Sequence, residues 1–206
     1  RKETINMRSS KERLAYVLRI LSAPPLMAVV LFAILYAGKP TAFGSAWDLA
    51  VPVFGLALVP ASAYPLSLLL PSIRRRGREG QRNLAFICSA VGYVGTWLYS
   101  LLSACSAAVA LICTIYLLSV LLLLAANKLF HIRASGHASG FAGPMIVLSA
   151  SFGLPALAVC VPCYCLVLWS SVVSKRHTVS EFVLGTVLCA AACGISYFLF
   201  SSLGLV

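Results

Sequence analysis

SAAVALICTIYLLSVLLLLAA, residues 106–126, is the stretch that decides the fold. It contains no charged side chain and has no polar face at helical spacing, so as a helix it must be surrounded by apolar matter on every side. At 1.5 Å per residue it would be about 30 Å long, the thickness of a bilayer's hydrocarbon core. Similar runs flank it at approximately 14–37, 47–70, 83–103, 138–153, 155–173 and 182–203. The expected architecture is all-α, a polytopic transmembrane helix bundle of about six to seven spans. Residues 138–173 are read as a tight hairpin turning at Gly153-Leu154-Pro155. The chain reads as one integral membrane domain, 1–206, with a basic N-terminal segment (1–13) and a core of polar breaks between 74 and 185.

Composition supports this. Of 206 residues, 61% are hydrophobic and 10% charged, against about 25% charged in a soluble protein. The formal net charge is +11, but the cations sit in breaks between apolar runs and no soluble basic module exists. Membrane lipids are therefore the expected partners and nucleic acid is not; oligomeric state is left open. Of the 16 Lys and Arg residues, all but Lys39 fall on one side of the alternating spans. The positive-inside rule makes that side cytoplasmic, together with the N-terminus. The first apolar run follows basic residues but is too long for a signal-peptide core, so no cleaved leader is expected. The eight cysteines lie in or beside apolar runs. Cys160-Val-Pro-Cys163-Tyr-Cys165 has the spacing of half a zinc site, but no second pair completes it. They read as small hydrophobes. Neither a metal nor a cofactor is expected, since the whole chain holds only five acids.

Chemistry is concentrated in three breaks that should share one membrane face. The first is Arg74-Arg75-Arg76-Gly77-Arg78-Glu79-Gly80-Gln81-Arg82-Asn83. The second runs from Lys128 through His131 and Arg133 to Ala134-Ser135-Gly136-His137. The third is Ser174-Lys175-Arg176-His177-Thr178-Val179-Ser180-Glu181. All three histidines lie here. An arginine cluster after a span is by itself a topology signal, and Ser-Gly before an apolar run is an ordinary helix start. His177 and Glu181 are four apart, a spacing that places two side chains on one helical face. A carboxylate there accepts Nδ1–H of the imidazole and leaves Nε2 free as a nucleophile. The bland alternative for that pair is a helix cap.

Taken together, the three breaks resemble the signature motifs of the type 2 phosphatidic acid phosphatase superfamily. Its first motif is Lys, six residues, Arg-Pro; Arg75 and Arg82-Asn83 stand in those places. Its second, Pro-Ser-Gly-His, is matched by Ala134-Ser135-Gly136-His137. Its third is Ser-Arg, five residues, His, three residues, Asp; His177 and Glu181 match its second half, while Ser171 stands where the arginine belongs. The resemblance covers roughly 74–185, and residues 137–144 with His177-Thr178 look like its prokaryotic integral membrane branch.

The resemblance implies a lipid-phosphate phosphatase without a metal. His177 would attack phosphorus, Glu181 would orient it, and a protonated His137 would donate to the leaving oxygen. Arg75 and Arg82, with backbone N–H groups of Ser135 and Gly136, would hold the phosphate. Arg133, Lys175 and Arg176 are the candidate substitutes for the arginine missing at Ser171. The substrate would be a phosphatidate-like lipid or a polyprenyl phosphate or pyrophosphate. Phosphotransfer to a second lipid, or lipid binding and transport on a weakened catalytic scaffold, are the alternatives. His131 is read as an interfacial residue outside the chemistry. Gly136, Ser139, Gly140 and Gly143 form a small-residue patch expected to let helices pack closely and to leave room for a lipid tail.

Overall fold

A computed structural model of the protein describes residues 9–103 and 105–205. The basic residues Arg1, Lys2 and Arg8 lie outside that range. Among the described residues the chain forms nine helices and no strand: α1 (Ser10–Leu21), α2 (Pro24–Gly38), α3 (Trp47–Leu69), α4 (Pro71–Arg75), α5 (Gly77–Leu102), α6 (Ala107–Leu129), α7 (Gly136–Phe152), α8 (Leu154–Val173) and α9 (Val179–Ser202). Five of them, α3, α5, α6, α8 and α9, are long and apolar enough to cross a membrane. The bent pair α1–α2 makes a sixth candidate span. The fold is an all-α bundle of transmembrane type.

The expected continuous run at 14–37 is corrected by this structure. Pro24-Pro25 lack backbone donors and hold Ala23 in an extended conformation (φ −59°, ψ 135°), so the helix stops at Leu21 and restarts at Pro24. The two pieces meet at 58°. Such a break turns α1 aside from α2 and packs it along α8. Prolines also act within α3, which widens into a π turn at Phe54–Leu58 between Pro52 and Pro60, each of which removes a ladder donor. The hairpin expected at 138–173 is present as α7 and α8, reversing at Gly153 with φ 70°. Helix α7 spans 17 residues, about 25 Å, and is the shortest element of the inner bundle.

Helices α6, α7 and α9 form the centre, with α5, α8 and α2 packed around them. Leu31, Phe32, Leu56, Ile115, Val147 and Cys189 are buried between them. Phe198, Leu154 and Leu68 are exposed and apolar, as a lipid-facing surface requires. Two close approaches position the motif loops. A Cβ at Gly185 of α9 would overlap the Ser135 carbonyl, and one at Gly140 of α7 would overlap Pro24. Glycine at those places lets α9 seat the start of α7, and lets α7 seat the α1–α2 break. The small-residue patch thus does the packing expected of it, with Gly143 also lying against Cys189.

The end of the bundle remote from the three breaks is closed by Asp48, 2% exposed. Its carboxylate accepts from Gly44 N (3.0 Å), Ser45 Oγ (3.1 Å) and Ser106 N (3.0 Å). Lys39 lies over the Phe152 ring at this same end, 5.6 Å from its centroid.

Candidate active site

The third break ends in a helix cap that also organises a histidine. Thr178 is the N-cap of α9, and its Oγ1 accepts Glu181 N–H at 3.2 Å. Glu181 Oε2 returns to accept Thr178 N–H (3.3 Å) and meets His177 Nδ1 at 3.2 Å. Its other oxygen, Oε1, lies 3.3 Å from Arg133 Nε. A carboxylate only accepts, so the shared proton sits on Nδ1 and Nε2 of His177 is bare. The pairing anticipated from the spacing is made, but by another route. His177 precedes α9 rather than sharing its face, so the cap and the catalytic-type pair are one structure.

The second break is docked onto the third. Ser135 N–H donates to the Glu181 carbonyl at 2.9 Å, and Ser135 Oγ caps α7 by accepting from Ala138 N at 3.1 Å. Ser135 is fully buried. This corrects its assignment as a phosphate ligand, because the N–H meant for the phosphate is spent on the Glu181 carbonyl and Ser135 does not border the cavity described below. Gly136, next along, does border the cavity described below, as does His137. His137 Nε2 lies 3.0 Å from Ser22 Oγ at the end of α1. That hydroxyl donates its single hydrogen to Leu18 O at 2.7 Å, so toward the imidazole it accepts, and Nε2 of His137 carries a proton.

Both histidines open onto one cavity of about 820 Å³, which also takes in Ser171 and a ring of cations: Arg19, Arg78, Arg82, Arg133, Lys175 and Arg176. Arg82 is held by Nη2 donating to Asn127 Oδ1 (3.2 Å) and by its position over the Phe86 ring. Asn127 in turn donates to the Leu123 and Ala134 carbonyls and accepts Ala134 N–H, so it ties Arg82 to the second break. Asn83, at the motif's proline position, accepts from Lys128 Nζ at 2.7 Å. Arg75 is exposed at the end of α4 and does not border the cavity. The turn at Gly77 (φ 56°) separates it from the helix that carries Arg82. Arg78, one turn before Arg82 on α5, borders the cavity instead. Below the cations the cavity continues between α5, α6, α7 and α9 to Tyr93, Ile115 and Tyr116. Tyr93 lies 11 residues beyond Arg82 in α5, which is about 16 Å along the helix.

Burial depresses both imidazoles, and the neighbouring cations add to it. His137, just before the apolar run, is pushed down to about 4, first by burial and then by the charges of His177 and Arg19. His177 is also lowered: burial outweighs the hydrogen bond and charge of Glu181, and Arg133 and Arg82 add to the depression. The protonated form of His137 that a general acid requires is therefore disfavoured in the free site. At neutral pH both rings are neutral in the free site, and only an anion entering among the cations would favour the imidazolium.

His131 is exposed at φ 55° and lies outside the cavity. Arg19, Ser22, Arg78 and Asn127 were not singled out from the sequence. Arg78 had a signal in its four-residue spacing from Arg82, and Arg19 and Ser22 had one in the diproline that follows them. Among the described residues no three His, Cys, Asp or Glu side chains gather as a metal site. No family model matches the chain, and neither a curated protein nor a solved structure does.

Proposed function

We propose that the protein is a membrane lipid-phosphate phosphatase working through a phosphohistidine, in the manner of the superfamily its motifs resemble. The observation that carries this reading is His177, its Nδ1 held by Glu181 and its Nε2 bare, opening with His137 onto a cavity ringed by cations. Nε2 of His177 attacks phosphorus as the bond from phosphorus to the lipid oxygen breaks. The leaving oxygen takes a proton from His137, whose imidazolium is favoured once the phosphate's charge is in place. Water then attacks phosphorus and gives a proton to His137, and the P–N bond breaks to release phosphate and neutral His177. Arg82 and its neighbouring cations hold the phosphoryl oxygens, where stabilisation of transition-state charge matters most.

The apolar continuation of the cavity suits a lipid chain hanging from the phosphate, as in a phosphatidate or a polyprenyl phosphate or pyrophosphate. The site faces the cytoplasm on this reading, because the cations gather there. Purified protein in detergent should release inorganic phosphate from dioleoyl phosphatidate or from a polyprenyl pyrophosphate, and His177→Ala should bring release to background with its thermal melt retained. Undiminished release by that variant removes the nucleophile and the reading with it. Transfer of the phosphoryl group to an added acceptor lipid would redirect the second step to an alcohol.

A further inference from the structure

Ser171 stands where the resembling motif carries an arginine, and the structure puts another guanidinium beside the same cavity. Ser171 is 1% exposed near the end of α8, and its Oγ is buried without a hydrogen-bond partner. Arg19 arrives from the last turn of α1, the helix that the diproline break lays along α8. Both residues border the cavity that holds His137 and His177. The Arg19 guanidinium lies 5.6 Å from the centre of the Tyr16 ring, and its Nε is buried without an acceptor in the protein. An arginine that merely reached for headgroups would keep Nε in water or lipid phosphate. Burying a guanidinium N–H unpaired costs free energy, and an anion held by the part of Arg19 that borders the cavity would offset that cost. The same helix end supplies Ser22 to His137 Nε2, so α1 is already built into the site.

We infer that Arg19 is a phosphate ligand of this site, supplied from the first helix in place of the arginine absent at position 171. The inference rests on the phosphate-site reading above and adds a residue outside the three motif loops. A planar guanidinium gives two parallel N–H donors to a phosphoryl group, which a lysine cannot reproduce. The contact depends on the α1–α2 bend, because a straight helix through 14–37 would carry Arg19 away from α8.

The test uses orthovanadate, a phosphoryl mimic, titrated into the full-length protein in detergent by calorimetry. Arg19→Ala should weaken binding about ten- to a hundred-fold, the range for losing hydrogen bonds to a charged group. The double variant Arg19→Ala/Ser171→Arg should recover most of that loss, because it returns a guanidinium to the same cavity from the neighbouring helix. If Arg19→Ala fails to fold, Arg19→Gln takes its place, and Arg19→Lys should recover only part. Wild-type affinity in the Ala or Gln variant overturns the inference, as does a wild-type protein that binds no vanadate or a double variant that folds without recovering. Phosphate release from dioleoyl phosphatidate by the wild type is measured alongside. Vanadate binding with the expected dependence on Arg19 but no turnover would leave the anion ligand standing and remove the phosphatase.

Discussion

Asp48 and Glu181 do the same local job at opposite ends of the molecule. Each is an acid in the first turn of a helix, where the backbone's unpaired N–H groups favour a negative charge. Asp48 spends its oxygens on two backbone N–H groups and a hydroxyl, and does not border the cavity that holds the histidines. It joins the start of α3 to Ser106, the N-cap of α6, and its work ends there. Glu181 closes a cap too, but shares its oxygens with His177 and Arg133, at 16% side-chain exposure, beside a cavity full of cations. The difference lies in the partners. An acid whose partners are neutral groups fixes a fold, whereas one that also meets an imidazole shifts that ring's proton affinity as well.

That contrast is broken or sharpened by substitution at the two ends. The largest effect is expected at the histidine end, where His137→Ala should lower kcat on the phosphatidate substrate by about 10²- to 10⁴-fold, the range for losing a general acid, with the thermal melt nearly unchanged. Asp48→Ala should do the reverse. It leaves Ser106 N–H without its acceptor and should cost about 1–3 kcal/mol of stability, read as a lower melting temperature, with kcat retained. A large loss of kcat in Asp48→Ala would erase the distinction between the two ends.

A smaller effect concerns pH. His177 must be neutral to attack, and its proton affinity is lowered by burial and by Arg133 and Arg82. The acid limb of kcat/KM should therefore fall below the ordinary histidine range. Glu181 opposes that depression, so Glu181→Gln should carry the limb to still lower pH in whatever activity remains. A limb that moves upward in that variant would show that Glu181 does not act on the His177 proton. Arg133 is 65% exposed, so Arg133→Gln should cost stability less than about 1 kcal/mol.

How much of this was legible in the chain follows from the range of each signal. The bundle could be read because charge-free runs of bilayer length admit few alternatives. The His177–Glu181 pair could be read because it is local, although its cap geometry and the spending of Ser135 N–H on the Glu181 carbonyl could not. Arg75 was preferred to Arg78 by motif spacing, and the left-handed turn at Gly77 changes which guanidinium reaches the cavity. Arg19 and Ser22 depend on a helix break, which the diproline signals, followed by packing against α8, more than a hundred residues away in sequence, which no local pattern reports. Asn127 was hidden for the same reason. It sits at the end of the decisive apolar run, where an amide reads as an interfacial residue until its partners are known.

The central claim is that one phosphoryl group passes through His177. Purified protein given phosphatidate labelled with ³²P at phosphorus, then quenched in alkali, should carry label on the peptide containing His177. That label should be stable to base and lost in acid, as a phosphoramidate is, and His177→Ala should carry none. Turnover of the lipid with no label at His177, or with an acid-stable label elsewhere, would contradict the account.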